Sequence, residues 1–178
     1  MKIDQVVNSN NINLVLGGGC HWCTEAVFES LKGVTNVDQG WASSSGEYSE
    51  YSEAVMLSVN ISKISVKTVL EAHLLTHSST ANHSMRNKYR SAVYVNNAEQ
   101  ASQVERCLFE LSSNFDKPLV TKILSLKKFK SNSQYHNYYY QNPNRGFCQR
   151  YISPKLGLIL KRFPKHAKTD KINSALEF

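Results

Sequence analysis

Three consecutive glycines, Gly17-Gly18-Gly19, end a short apolar run and stand directly before Cys20-His21-Trp22-Cys23. The run at 12–16 reads as a buried strand that the glycines stop sharply. A helix is expected from about Trp22, because Val27, Phe28 and Leu31 recur at helical spacing and Gly33 suits a C-cap. Strand, glycine turn and helix in that order place Cys20 where unpaired backbone donors and the positive end of the helix dipole both favour a thiolate.

The pattern beyond the first helix continues in the same style. Strands are expected over 34–41 and 53–60, the second with Val55, Leu57 and Val59 on one face, followed by a helix over 66–76 and a strand over 89–95. This β-α-β-β-α-β order predicts an α+β fold with a ferredoxin-like core and a mixed sheet. A helix over 97–111, a strand over 119–126, a short aromatic helix over 134–141 and a helix over 154–162 complete it, with long loops between. A chain of 178 residues fits one domain. Its ends, about 1–10 and 165–178, are polar and expected to be loose.

Composition excludes several classes. No apolar run approaches the roughly 20 residues of a membrane helix, and no signal-like stretch follows Met1, so a cytoplasmic address is expected. The cysteines, Cys20, Cys23, Cys107 and Cys148, are too few and uneven for a secreted disulfide framework. The net charge of +7 gathers after Lys122, opposed there only by Asp170 and Glu177. A basic, tyrosine-rich last third could serve as a nucleic-acid module, but a charge run specifies no ligand and a solvated surface is the simpler reading.

Locally, the Cys20–Cys23 pair fits an activated nucleophile, half of a zinc site or a thioredoxin-like dithiol. No second CxxC completes a zinc site, while a CxxC opening a helix is the right setting for a redox pair. His73 and His77 lie four apart, but HLLTH lacks the glutamate of zinc proteases, so packing and a helix-end role are expected for them.

The segment GGGCHWCTEAVFESLKGV resembles the GGCFWCTEAVF motif of the A-type methionine sulfoxide reductases. Three further blocks follow in the family's order. Tyr51-Ser52-Glu53-Ala54-Val55 resembles its HAEAV strand, and Asn87-Lys88-Tyr89-Arg90-Ser91-Ala92 its TQYRSA strand. Tyr135-His136, Asn142-Pro143 and Phe147-Cys148 resemble its YH, NP and YC elements. The resemblance implies that a Cys20 thiolate reduces methionine-S-sulfoxide, free or in proteins, becoming a sulfenic acid and then a disulfide. Glu53 would be the proton donor and Tyr89 would bind the sulfoxide oxygen. Glu53 also shares strand parity with Val55, an apolar setting that favours a carboxyl's neutral form.

His21, Trp22 and Trp41 would form the substrate wall. Cys148, in a polar glycine-containing loop, would resolve the sulfenic acid, with Cys23 as its rival and Cys107 as core. His136 would be structural. The resemblance further implies a monomer without cofactor, recycled by thioredoxin and acting in protein repair under oxidative stress. The family's Phe is His21 here, its second oxygen-binding Tyr is Trp41, and its Asp and Glu are Ser84 and Ser133.

Overall fold

The computed structural model describes residues 10–177. Six strands, β1 (Asn11–Gly17), β2 (Val34–Ser43), β3 (Ser52–Asn60), β4 (Ala92–Val95), β5 (Lys122–Ser125) and β6 (Lys128–Ser131), form one mixed sheet ordered β5-β4-β1-β3-β2-β6. All neighbours are antiparallel except β4 and β5. The α3 helix (Ala98–Ser112) makes the crossover that a parallel pair requires.

Strand parity decides which residues meet the helices. Leu14 and Leu16 of β1 pair in register with Leu57 and Val55 of β3, and all four are buried in the main core. Against that face pack α1 (His21–Glu29), α2 (Val66–Leu75) and α3, and α5 (Ser153–Arg162) and α6 (Thr169–Leu176) join the same core from beyond α1. The intervening positions, Val15, Ala54 and Ala92, turn to the opposite face, where Tyr94 and the half-buried Met56 and Phe129 cover them. Among the described residues no helix is long and apolar enough to cross a membrane.

Several expectations are corrected. The first helix starts at His21 and ends at Glu29, while Gly33 supplies a positive φ of 87° in the turn beyond. The strand expected over 89–95 begins only at Ala92, because 88–90 is held by the Ser52 hydroxyl, which donates to the Lys88 carbonyl and accepts from the Arg90 amide. Only Lys122–Ser125 of 119–126 is strand, and only α4 (Tyr138–Gln141) of 134–141 is helix.

The C-terminal stretch from 165 is not loose. It forms α6, with Ile172 and Ala175 buried, and it closes the far end of α1, where Lys168 donates through its amide to the Ser30 carbonyl and through Nζ to the Glu29 carbonyl. The expectation for the N-terminal end falls outside the described residues, apart from Asn10.

The unanticipated β6 depends on a close approach. A Cβ on Gly40 would lie 2.0 Å from the Lys130 carbonyl oxygen, so only glycine lets β6 pair with β2 there. Gly40→Ala is expected to cost about 1–3 kcal/mol, the usual range for forcing atoms into a packed site. Gly157→Ala, in open space on α5, should stabilise by up to about 1 kcal/mol through helix propensity. Urea unfolding of both variants measures the contrast, and equal effects would contradict it.

Candidate functional site

Cys20 is the N-cap of α1, with φ −55° and ψ 130°, and is partly exposed. The first-turn amides of the helix are divided between two groups. The His21 amide donates to Glu53 Oε2 at 2.9 Å, whereas the Trp22 amide favours the Cys20 thiolate and the Cys23 amide, bonded to the Cys20 carbonyl at 3.0 Å, adds to it. The Cys23 thiol also donates to Cys20. That hydrogen bond, with the two amides, outweighs burial and the nearby Glu53 charge and holds the Cys20 thiol below its ordinary value. Cys23 is pushed far up by the same hydrogen bond and by burial, so Cys20 is the one of the pair that ionises first.

The turn before Cys20 is fixed from behind. A Cβ on Gly18 would lie 2.5 Å from the His77 ring, and one on Gly17 2.8 Å from the Arg90 carbonyl oxygen. His73 Nε2 donates to the Gly17 carbonyl at 2.8 Å, leaving its buried Nδ1 without a partner. His77 donates through Nδ1 to the His73 carbonyl and accepts at Nε2 from the Ser91 hydroxyl. Burial drives both imidazoles down, His73 to about 4, so they pack neutral, 4.3 Å apart between centroids. They are structural, and among the described residues no cluster of three His, Cys, Asp or Glu side chains could hold a metal.

Glu53 stands opposite Trp41 in the β2–β3 register, which puts the two side chains on one face. His21 completes this group. It is 5% exposed, donates through Nδ1 to the Gly40 carbonyl at 3.0 Å and meets Trp41 edge-on at 5.2 Å. Tyr89 is brought alongside because the Glu53 amide donates to the Lys88 carbonyl at 2.9 Å and Arg86 grips the Tyr89 and Gly18 carbonyls together. Lys88, which the sequence did not single out, sets its Nζ over the Tyr89 ring, 5.0 Å from the centroid, and Tyr89 with the charges of Glu53 and Cys20 raises it. Ser84 and Ser133 are exposed.

Trp22 stacks on Tyr138 at 3.9 Å and 13° and meets Tyr135 and Phe147 edge-on. This aromatic wall leads to Cys148, whose expected place is corrected. It lies not in an open loop but in the π-turn Cys148–Ile152, 0% exposed, because Cys148 and Ile152 both face the core. Its charge would be felt at both Cys20 and Cys23, and all four cysteines are free thiols. Cys107 is half-buried on α3, and His136 is exposed beside Glu25.

Because the folded state refuses a proton at His73 that the unfolded chain takes up near pH 6.5, stability is intact above that pH. It is lost as pH falls toward 4, by about 3 kcal/mol. His73→Gln is expected to flatten this stretch of a pH series of unfolding free energies. An unchanged slope would contradict the assignment.

The sequence and the fold both have clear relatives. The peptide methionine sulfoxide reductase family model matches residues 12–168. Peptide methionine sulfoxide reductase MsrA of Trichodesmium erythraeum is 34% identical over 168 residues, covering 85% of this chain and 95% of the relative. The fold is similar to that of reduced Mxr1 from Saccharomyces cerevisiae, with a TM-score of 0.66 and 17% identity over 79% of this chain and 91% of that one. It is also similar to Mxr1 in complex with Trx2, with a TM-score of 0.56 and 16% identity over 78% and 89%. With an N-terminal helix cap, acid and aromatic wall assembled around Cys20, and with such matches over most of its length, the chain belongs to the A-type peptide methionine sulfoxide reductases.

Proposed function

We propose that this protein reduces methionine-S-sulfoxide to methionine, with Cys20 as nucleophile and Glu53 as proton donor. The observation that carries this reading is the division of the α1 amides, which sets a stabilised thiolate beside a carboxyl group on one helix end. The Cys20 sulfur attacks the sulfoxide sulfur, the S–O oxygen takes a proton and passes to Cys20, and methionine leaves reduced by two electrons. Cys20 is left as a sulfenic acid. Oxygen is a poor leaving group until protonated, which is the task assigned to Glu53. The Tyr89 phenol would donate to the same oxygen. The indole of Trp22, with His21 and Trp41 beside it, would receive the methyl group.

Cys148 is assigned as the resolving thiol, and a thioredoxin-type dithiol as the external reductant in a cytoplasmic setting. Cys23 is better read as a hydrogen-bond donor to the Cys20 thiolate than as a dithiol partner, because its own thiol is the protonated one. We also assign β4-β1-β3-β2, with α1 and α2 on one face, as a ferredoxin-like core.

The test supplies S and R epimers of a blocked methionine sulfoxide with a chemical dithiol. Wild type is expected to consume the S epimer, Cys20→Ser to be inactive, and Glu53→Gln to lose about 10²–10⁴-fold in kcat/KM, the range for removing a general acid. No reduction of the S epimer by folded wild type would defeat the reading. Cys148→Ser should release one equivalent of methionine and then stop when thioredoxin is the reductant. Sustained thioredoxin-driven turnover would remove Cys148 from its role.

A further inference from the structure

Glu25, on the second turn of α1, is wholly buried and takes no part in the chemistry above. Its oxygens accept three hydrogen bonds, from the Gln39 side chain at 2.9 Å, the Asn137 amide at 2.8 Å and the Tyr138 amide at 2.7 Å. A carboxyl group taken out of water needs such donors to offset its lost hydration. Two of the three come from backbone 112 and 113 positions away in the chain.

The backbone that supplies them is specially shaped. Asn137 has φ 54° and ψ 46°, the left-handed region, which points successive amides at one place and makes a nest for an anion. A residue with a Cβ is held there at a cost that asparagine bears more easily than most, and the bonds to Glu25 offset it. The same segment carries the aromatic wall. Tyr138, one of the donors, stacks on Trp22, and Phe147 meets the same indole one residue before Cys148. Gln39 extends the network through its side-chain oxygen, which accepts from Asn132 at 3.1 Å.

We propose that Glu25 is a positioning residue for the second half of the reaction, tethering the 137–148 segment to the nucleophile's helix so that Cys148 stays within reach of Cys20. The proposal rests on the roles assigned above to those two cysteines. In the step concerned, the Cys148 sulfur attacks the sulfenic sulfur of Cys20. The S–S bond forms, the S–O bond breaks, and the hydroxyl leaves with the Cys148 proton as water. Its rate depends on the effective concentration of one thiol near the other, which a tether raises. The first step uses Cys20, Glu53 and the Trp22 indole, none of which is hydrogen-bonded to Glu25.

The two steps separate in a single-turnover experiment on the full chain, with one equivalent of blocked methionine-S-sulfoxide and no external reductant. Methionine release and loss of free thiols are followed together. For Glu25→Gln, which turns an amide group toward backbone donors, methionine release should stay within about twofold of wild type. Disulfide formation should slow by about tenfold or more, and Glu25→Asp, which keeps the acceptor charge, should recover part of that loss. An unchanged disulfide rate, or an equal fall in both steps, overturns the proposal.

If Glu25→Gln does not fold, the nest is tested from its other side. Asn137→Val, strained in the left-handed region, should show the same split, and Asn137→Gly, at ease there, should match wild type. Equal disulfide rates in these two variants overturn the proposal as well. Absence of methionine release from wild type would instead defeat the reading of Cys20 on which it rests.

Discussion

The amino end of α1 is the interaction on which the site depends. A helix leaves its first amides without partners, and here they are shared between Cys20 at the N-cap and the Glu53 carboxyl group from β3. The Cys20 sulfur needs donors to exist as a thiolate in a partly buried position, while the Glu53 charge beside it opposes that state. The Cys23 thiol reconciles them by adding a donor from within the same turn. The local preference for one anion at a helix end is thereby extended to two reactive groups.

That end must also be held still, and the glycine turn explains how. Gly17 and Gly18 let the chain pass flat against the Arg90 carbonyl and the His77 ring, contacts that any side chain would block. The two histidines in turn bond to the Gly17 and His73 carbonyls and to Ser91, so α2 and the start of β4 both bear on the turn. Their neutrality is required by the packing: two charged rings 4.3 Å apart would repel each other across a buried contact.

How much of this was legible in the sequence varies with the range of the forces involved. The β1–turn–α1 unit and the parity of β3 are local hydrophobic patterns, and they placed Cys20 and Glu53 correctly relative to helix and core. Cys148 was misplaced because its neighbours Asn144, Arg145, Gln149 and Arg150 read as a loop, whereas Cys148 and Ile152 turn the segment inward. Glu25 looked like any helical charge, since its three donors come from distant parts of the chain. The β6 strand carries almost no apolar signal and forms because Gly40 admits it. Sequence reasoning failed where long-range contacts decide.

The basic C-terminal third follows the same logic. Four of its twelve cations, Lys155, Arg162, Lys168 and Lys171, help close the fold. Lys155 donates to the Thr76 carbonyl at the end of α2, and Lys168 to the Glu29 carbonyl at the end of α1, where a positive charge complements the helix dipole. Arg162 pairs with Glu71 at 2.6 Å, and Lys171 reaches both Glu29 and the Tyr140 ring. Such exposed pairs contribute about 0–1 kcal/mol each, so their effect is less to stabilise than to orient α5 and α6 over α1 and α2. These four charges of the run lie along helix seams, where they align the C-terminal helices with the core.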